Sequence, residues 1–317
     1  MRRSEGLLLG KALTTFLRFR SLLRALSAIN RDALPVGEEH WAKSAISQFY
    51  DDLADAAKSH LYWNWGYFDE RTAAIAAPFC PASSDGLSEQ LYLMAAELTI
   101  PAHRREFDLV EVGCGLGEGL RFLSQCYPAG SFIGIDLSDH AIRQAQDKSA
   151  QGRLRFALGD AARLPIEDHS ADCVMSVESM HNYPSAASFL DEAARVLRPG
   201  GVLGIVDLFT ATRAARFRAL VKDHPRFEFL VDEDISNGVR RAIAKRIGTN
   251  GSAASRQQDG ASGNLLRNLI RDYGRRTMLG ADFLRTQRGR FGQPFTKLLL
   301  GSEMVVESYR RIALKRT

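Results

Sequence analysis

Five acidic residues punctuate the chain inside or just after short apolar runs. Glu111 lies within residues 109–112, Asp136 closes 131–135, Asp160 follows 154–158, Glu178 follows 171–177 and Asp207 closes 202–206. His181 stands just beyond Glu178. Carboxylates placed like this can accept from the hydroxyls and amines of a ligand. A histidine titrates close enough to neutrality to take a proton from a substrate. Glycines at 113, 115, 117 and 119 follow the first run. Without side chains they let a backbone turn lie against whatever sits at the start of the next helix.

The spacing of those glycines narrows the ligand. A dinucleotide fingerprint, G-x-G-x-x-G, would need glycine at 118, where Glu118 stands. The stretch from Glu111 to Gly117 instead resembles the Glu-x-Gly-x-Gly-x-Gly signature of the Rossmann-like S-adenosylmethionine-dependent methyltransferases. The resemblance implies that Glu111 orients the methionine part of that cofactor and that the turn at Gly113, Cys114, Gly115 and Gly117 lies along it. A glycine-rich turn of some other α/β protein is the competing reading. Asp136 falls 21 residues after Gly115, near the roughly 20-residue offset at which an acid meets ribose hydroxyls, with Leu137 beside it. An acidic helix cap is compatible with the same residue. In the family resembled, an acid at Asp160 accepts from the adenine amino group with Ala161 beside it. Glu178, opening the loop after the fourth strand, joins the expected cofactor contacts.

The elements that must position these residues are strands at 109–112, 131–136, 154–158, 171–177 and 202–207, alternating with helical patterns. Such alternation predicts an α/β, doubly wound sheet that binds ligands at the C-terminal strand ends. With the resemblance, the expected fold is a seven-stranded Rossmann-like methyltransferase sheet with an N-terminal helical lid and an inserted helical cap. The expected divisions are 1–86 for N-terminal helices and lid, 87–210 for the core, 211–286 for the Arg-rich cap and 287–317 for the last strands. Within that last part, 297–302 and 305–314 read as a hairpin.

Upstream, residues 41–58 form a helical pattern, and five aromatics crowd into 62–68. Phe49, Tyr50 and Asp51 with Trp65, Gly66 and Tyr67 resemble the lid of small-molecule methyltransferases, which implies that Tyr50 and Tyr67 close over the cofactor; plain core is the alternative. Residues 7–29 read as an amphipathic helix with Lys11, Arg18, Arg20 and Arg24 among its leucines and phenylalanines. Packing on its own domain or a second copy in a homodimer, peripheral membrane contact and a targeting peptide compete for it.

The whole chain sets bounds. With 317 residues, 45% of them hydrophobic, it can bury a large core. The net charge of +5 is not gathered into basic tracts, so nucleic acid is not an expected partner. The four cysteines show no paired spacing, which fits a reducing, cytoplasmic compartment. No apolar run approaches the roughly 18 residues of a membrane span.

Methyl transfer from a sulfonium is an in-line displacement, and a hydroxyl acceptor needs a base within reach. His181 follows strand four and Asp207 ends strand five, neighbouring positions in this topology, so His181 is the expected base and Asp207 its orienting partner. Residues 177–184, with 194–201, resemble the mycobacterial phthiotriolone and glycopeptidolipid O-methyltransferases and the rebeccamycin-type sugar O-methyltransferases. In the latter a histidine and an aspartate at these places are catalytic; their second histidine is Asn182 here. The expectation is an S-adenosylmethionine-dependent O-methyltransferase acting on a hydroxyl of a small secondary metabolite, polyketide, lipid or glycoside. C- or N-methylation by proximity and a non-catalytic cofactor-binding scaffold are the alternatives. The scheme needs no metal, although Glu178, His181 and Asp207 could in principle hold one.

Overall fold

The computed structural model describes residues 20–29, 34–56, 62–100, 106–148, 152–249 and 306–317, together with positions 14, 17, 18 and 102. Seven strands form one sheet in the order β3-β2-β1-β4-β5-β7-β6. They are β1 (Asp108–Val112), β2 (Ser131–Asp136), β3 (Leu154–Leu158), β4 (Ala171–Val177), β5 (Leu197–Phe209), β6 (Phe227–Asp234) and β7 (Ser308–Arg316). The first five pair in parallel, and β7 runs antiparallel between β5 and β6.

The strand sequences explain the layers. β4 is buried along its whole length, as a central parallel strand covered on both faces must be. Successive side chains point to opposite faces. Leu109, Cys173 and Met175 therefore join one core with α4 (Leu87–Thr99) and α5 (Glu118–Cys126). Val110 and Val174 join the other, with Phe189 and Leu190 of α7 (Ala186–Val196) and Phe217 of α8 (Ala211–Asp223). The doubly wound sheet expected from the sequence is present.

One strand lies where a helical cap was expected. Residues 227–234 form β6 and pair with β7; the strand expected at 297–302 lies outside the described residues. β6 is an edge strand with most side chains half-buried or exposed, so it carries little of the apolar alternation that betrays a strand. Cross-strand charge helps hold it: Arg310 Nε lies 2.5 Å from Asp232, Arg311 Nη2 2.6 Å from Glu233, and Lys315 Nζ 3.6 Å from Glu228.

Before the sheet, residues 20–29 form helix α1 and Glu39–Ala56 form α2. Leu22, Leu23, Leu26 and Ile29 pack on Ala42, Ala45 and Phe49. This part of the amphipathic N-terminal segment is thus seated on the chain's own second helix, while nearly all of 7–19 lies outside the described residues. α3 (Glu70–Ala76), α6 (Asp139–Asp147) and α9 (Ser236–Thr249) complete the helices named here. Among the described residues no helix is long and apolar enough to cross a membrane.

Candidate active site

The strand order reverses between β1 and β4, the place where an open α/β sheet leaves a crevice at its C-terminal edge. A cleft of about 1090 Å³, part of it open to solvent, lies there, walled by the loops after β1 to β4 and roofed by α2 and residues 62–64.

Its floor is the glycine turn. Gly113 N and Cys114 N donate to Ile135 O at 2.7 and 3.0 Å, tying the turn to β2. Gly113 has φ +79°, and a Cβ there would stand 2.3 Å from that of Ser179. Gly115 has φ +53° with the Trp63 ring above it, 3.1 Å from where its Cβ would be. Asp136 braces the turn from the end of β2: its oxygens accept from Gly115 N and Ser138 N, each at 2.8 Å. The N-cap of α6 is Ser138, which accepts from Ala141 N. Burial raises the Asp136 carboxyl above its usual range, against the pull of those hydrogen bonds.

Beneath the turn, Glu111 is fully buried. Its Oε1 accepts from Tyr92 Oη at 2.8 Å, and its Oε2 meets no partner among the described residues. Burial pushes this carboxyl up to about 8, opposed by the Tyr92 bond and reinforced by Asp136. Glu178 has a left-handed backbone (φ 47°), a conformation in which a residue with a Cβ is strained. Its Oε1 accepts from Trp65 N at 2.6 Å, and burial pushes it too up to about 8.

His181 and Asp207 do meet. His181 Nδ1 lies 2.8 Å from Asp207 Oδ1, and Asp207 Oδ2 accepts from His181 N at 2.9 Å. Oδ1 also accepts from Leu208 N at 2.7 Å. Asp207 also accepts from two backbone N–H groups, so the hydrogen shared with the ring sits on Nδ1, and Nε2 is the ring nitrogen left for a substrate. Arg213 of α8 donates to Met180 O at 2.6 Å, holding the short turn that carries His181.

Of the residues singled out from sequence, Tyr50, Gly113, Cys114, Gly115, Asp136, Leu137, Asp160, Ala161 and Glu178 line the cleft. Others do not. Tyr67, expected to close over the cofactor, instead packs against α9, so tightly that a Cβ on Gly238 would lie 1.9 Å from its ring. Gly117 caps α5 and faces the Phe156 ring. Glu111 reaches the cleft through Tyr92, which lines it. His181 and Asp207 stand beside the wall, between the lining residues Ser179 and Asn182 on one strand end and the end of β5, with the His181 side chain 12% exposed. Lys43, Trp63, Tyr92 and Asn182 line the cleft as well, and sequence reasoning had given them no role there. The helical spacing of Lys43, Ile46 and Tyr50 was the available signal.

The polar groups fit a sulfonium nucleoside. Glu111 Oε2, without a partner among the described residues, suits an ammonium, and each Asp136 oxygen, holding one backbone N–H, keeps a lone pair for a vicinal hydroxyl. Trp63 Nε1 and Asn182 Oδ1 are also buried without a partner among the described residues. At Gly113 the place a side chain would take is held by Ser179, so the turn stays bare backbone where it lines the cleft.

Such a sheet with such a turn has the Rossmann-like methyltransferase fold. A model described as a methyltransferase domain matches residues 110–205. A phthiotriol/phenolphthiotriol dimycocerosates methyltransferase 1 of Mycobacterium ulcerans is 37% identical over 188 residues, 59% of this chain and 68% of that protein. A fatty-acid O-methyltransferase of Mycolicibacterium smegmatis is 31% identical over 218 residues, 68% of this chain and 75% of that protein. A phthiotriol/phenolphthiotriol dimycocerosates methyltransferase of Mycobacterium leprae is 29% identical, with 66% of its length matched. Among solved structures, a geranyl diphosphate C-methyltransferase from Streptomyces coelicolor superposes with a TM-score of 0.57 at 13% identity, covering 87% of this chain and 98% of that one. The cyclase SpnF does so at 0.57 and 19%, covering 86% and 96%; these two share the fold. The chain belongs to the S-adenosylmethionine-dependent methyltransferases, and S-adenosylmethionine is its cofactor.

Proposed function

We propose that the protein methylates a hydroxyl of a small, largely apolar acceptor, a lipid, polyketide or glycoside of secondary metabolism, with His181 as general base. The observation that carries the reading is the His181–Asp207 pair. Asp207 is fully buried and accepts from His181 Nδ1, His181 N and Leu208 N, which fixes both the ring and its tautomer. The names of the mycobacterial relatives, a fatty-acid O-methyltransferase and phthiotriol dimycocerosates methyltransferases, support an apolar acceptor.

In this reading Asp136 holds the ribose, Asp160 and Ala161 the adenine, and Glu111 the ammonium of the methionine part, with the backbone at Gly113 and Gly115 beneath. The bound cofactor supplies an electrophilic methyl group on sulfur. His181 Nε2 would take the proton of the acceptor hydroxyl as its oxygen gains the methyl and the methyl–sulfur bond breaks to leave a neutral thioether, and Asp207 would stabilise the imidazolium that results. Helix α2 and residues 62–64 act as the lid over the cofactor, and 87–210 as the cofactor-binding core.

Replacing His181 by Ala tests the base. With a lipid and phenol panel and labelled cofactor, turnover is expected to fall by roughly 10²- to 10⁴-fold while cofactor binding persists. Near-normal turnover would shift the reading to C- or N-methylation driven by proximity. Binding of the cofactor with no transfer to any acceptor, in the unaltered protein, would favour a scaffold.

A further inference from the structure

Lys43 is a residue that the family signature does not contain, and it sits at the adenine end of the cleft. Its Nζ lies 2.5 Å from Asp160 Oδ2, although 117 residues separate the two. Asp160 Oδ1 is meanwhile occupied by Ala162 N at 2.9 Å, so the carboxylate is fixed in orientation by its own loop. A lysine on a surface helix ordinarily keeps several rotamers, at an entropic advantage. This one is only 22% exposed, and its helix is fastened at residues 47, 50, 51 and 54 beyond it.

The fastening is specific. Glu39, Lys43, Ile46 and Tyr50 form one stripe of α2 along the cleft, at the i, i+4, i+7 and i+11 spacing of a single helical face. Ser47 Oγ donates to Leu137 O at 3.4 Å, Ser138 Oγ bonds Asp51 at 2.5 Å, and Gln144 Nε2 donates to Ala54 O at 3.1 Å. Tyr50 Oη accepts from Asn182 Nδ2 at 3.1 Å. Five tethers therefore reach from α2 to the loops after β2, β3 and β4 and to α6.

The Lys43–Asp160 pair presents a cationic donor next to an anionic acceptor. Adenine carries the complementary pattern on one edge, the N6 amino donor beside the N7 acceptor, whereas a 6-oxo purine carries two acceptors there. We propose that Lys43 is a specificity-determining residue for the cofactor's base, donating to adenine N7 while Asp160 accepts from N6, so that the lid helix reads the nucleoside it covers. The inference rests on the reading of Asp160 as the adenine acid.

The test uses two ligands and calorimetry, with no turnover required. S-adenosylhomocysteine and its 7-deazaadenosine analogue, in which N7 is replaced by carbon, are titrated into the full chain and into a Lys43→Met variant. The methionine keeps the aliphatic stem and the packing beneath α2. The unaltered protein is expected to favour S-adenosylhomocysteine by roughly tenfold, the order of one partly exposed charge-assisted hydrogen bond, and Lys43→Met to bind the two alike. Lys43→Arg, which retains a donor, is expected to restore part of the preference. Equal binding of both ligands by the unaltered protein, or an undiminished preference in Lys43→Met, overturns the role of Lys43 and leaves Asp160 standing. A failure of Asp160→Asn to weaken S-adenosylhomocysteine binding overturns the adenine assignment itself, and the inference with it.

Discussion

Gly113 and Ser179 approach so closely that a methyl group cannot be placed between them. The Cβ of an alanine at 113 would lie 2.3 Å from Ser179 Cβ and 2.4 Å from its Oγ. Ser179 cannot give way cheaply, because its hydroxyl donates to Val112 O and bonds Ser176 and Tyr183, each at 2.8 Å. The first turn of the site is therefore locked to the loop after β4 that carries His181.

Gly113→Ala is expected to cost about 2–5 kcal/mol: roughly 1–2 for a left-handed alanine and about 1–3 for overpacking. Gly200 is the control. It has φ +79° as well, but nothing lies within 4 Å of its Cβ position, so Gly200→Ala is expected to cost only the roughly 1–2 kcal/mol of the backbone term. Denaturant unfolding of both variants measures the difference. Equal losses would mean that the Ser179 contact yields.

Asp207→Asn keeps the shape of the buried side chain and changes its hydrogen-bonding logic. The amide can present only one acceptor oxygen where three donors now converge on two, so either the His181 ring or a backbone N–H loses its partner. Turnover is expected to drop by roughly 10²- to 10⁴-fold, with a stability loss of about 1–3 kcal/mol for the orphaned buried donor. Cofactor affinity, read by calorimetry, should stay within a factor of about two if the pair serves the acceptor side alone. A parallel collapse of cofactor binding would show that the substitution disturbs the cleft as a whole.

Cofactor binding should release a proton. Burial holds the free Glu111 carboxyl at about 8, so at pH 7 it is mostly neutral, while a bound ammonium favours the carboxylate. Affinity is expected to rise with pH up to about 8 and then level. Titrations at pH 7 in buffers of different ionisation enthalpy measure the release, and Glu111→Gln should remove it. Linkage gives stability the opposite trend. The unfolded carboxyl titrates near 4.3, so between there and about 8 the folded chain holds a proton that the unfolded chain has lost. This contribution to stability is complete below about pH 4 and declines as pH rises through that window.

Local chemistry was legible in the sequence, and long-range pairing was not. The glycine turn and Asp136 announced themselves because a backbone bend and a strand-ending acid have local signatures. His181 and Asp207 could be brought together because the resemblance to the methyltransferase sheet implies that strands four and five are neighbours, and each residue stands at the end of one of them. Tyr67 was misplaced for the converse reason: the crowd of aromatics at 62–68 gives no local sign of which ring turns to the cleft, and it is Trp63 that covers Gly115 while Tyr67 turns to Gly238. Lys43 reads as an ordinary solvated charge until the tertiary fold sets Asp160 beside it. β6 escaped notice because an edge strand held by cross-strand ion pairs needs little apolar rhythm.

Helix α2 is clasped from outside by α1 and bears inward on the nucleoside cleft. The two helices are joined as a hasp: any lifting of α2 from the cleft would have to carry or shed the packing of Leu23 and Leu26. Substitutions at the α1–α2 seam should accordingly alter how long the spent cofactor lingers, even though no residue of α1 lines the cleft.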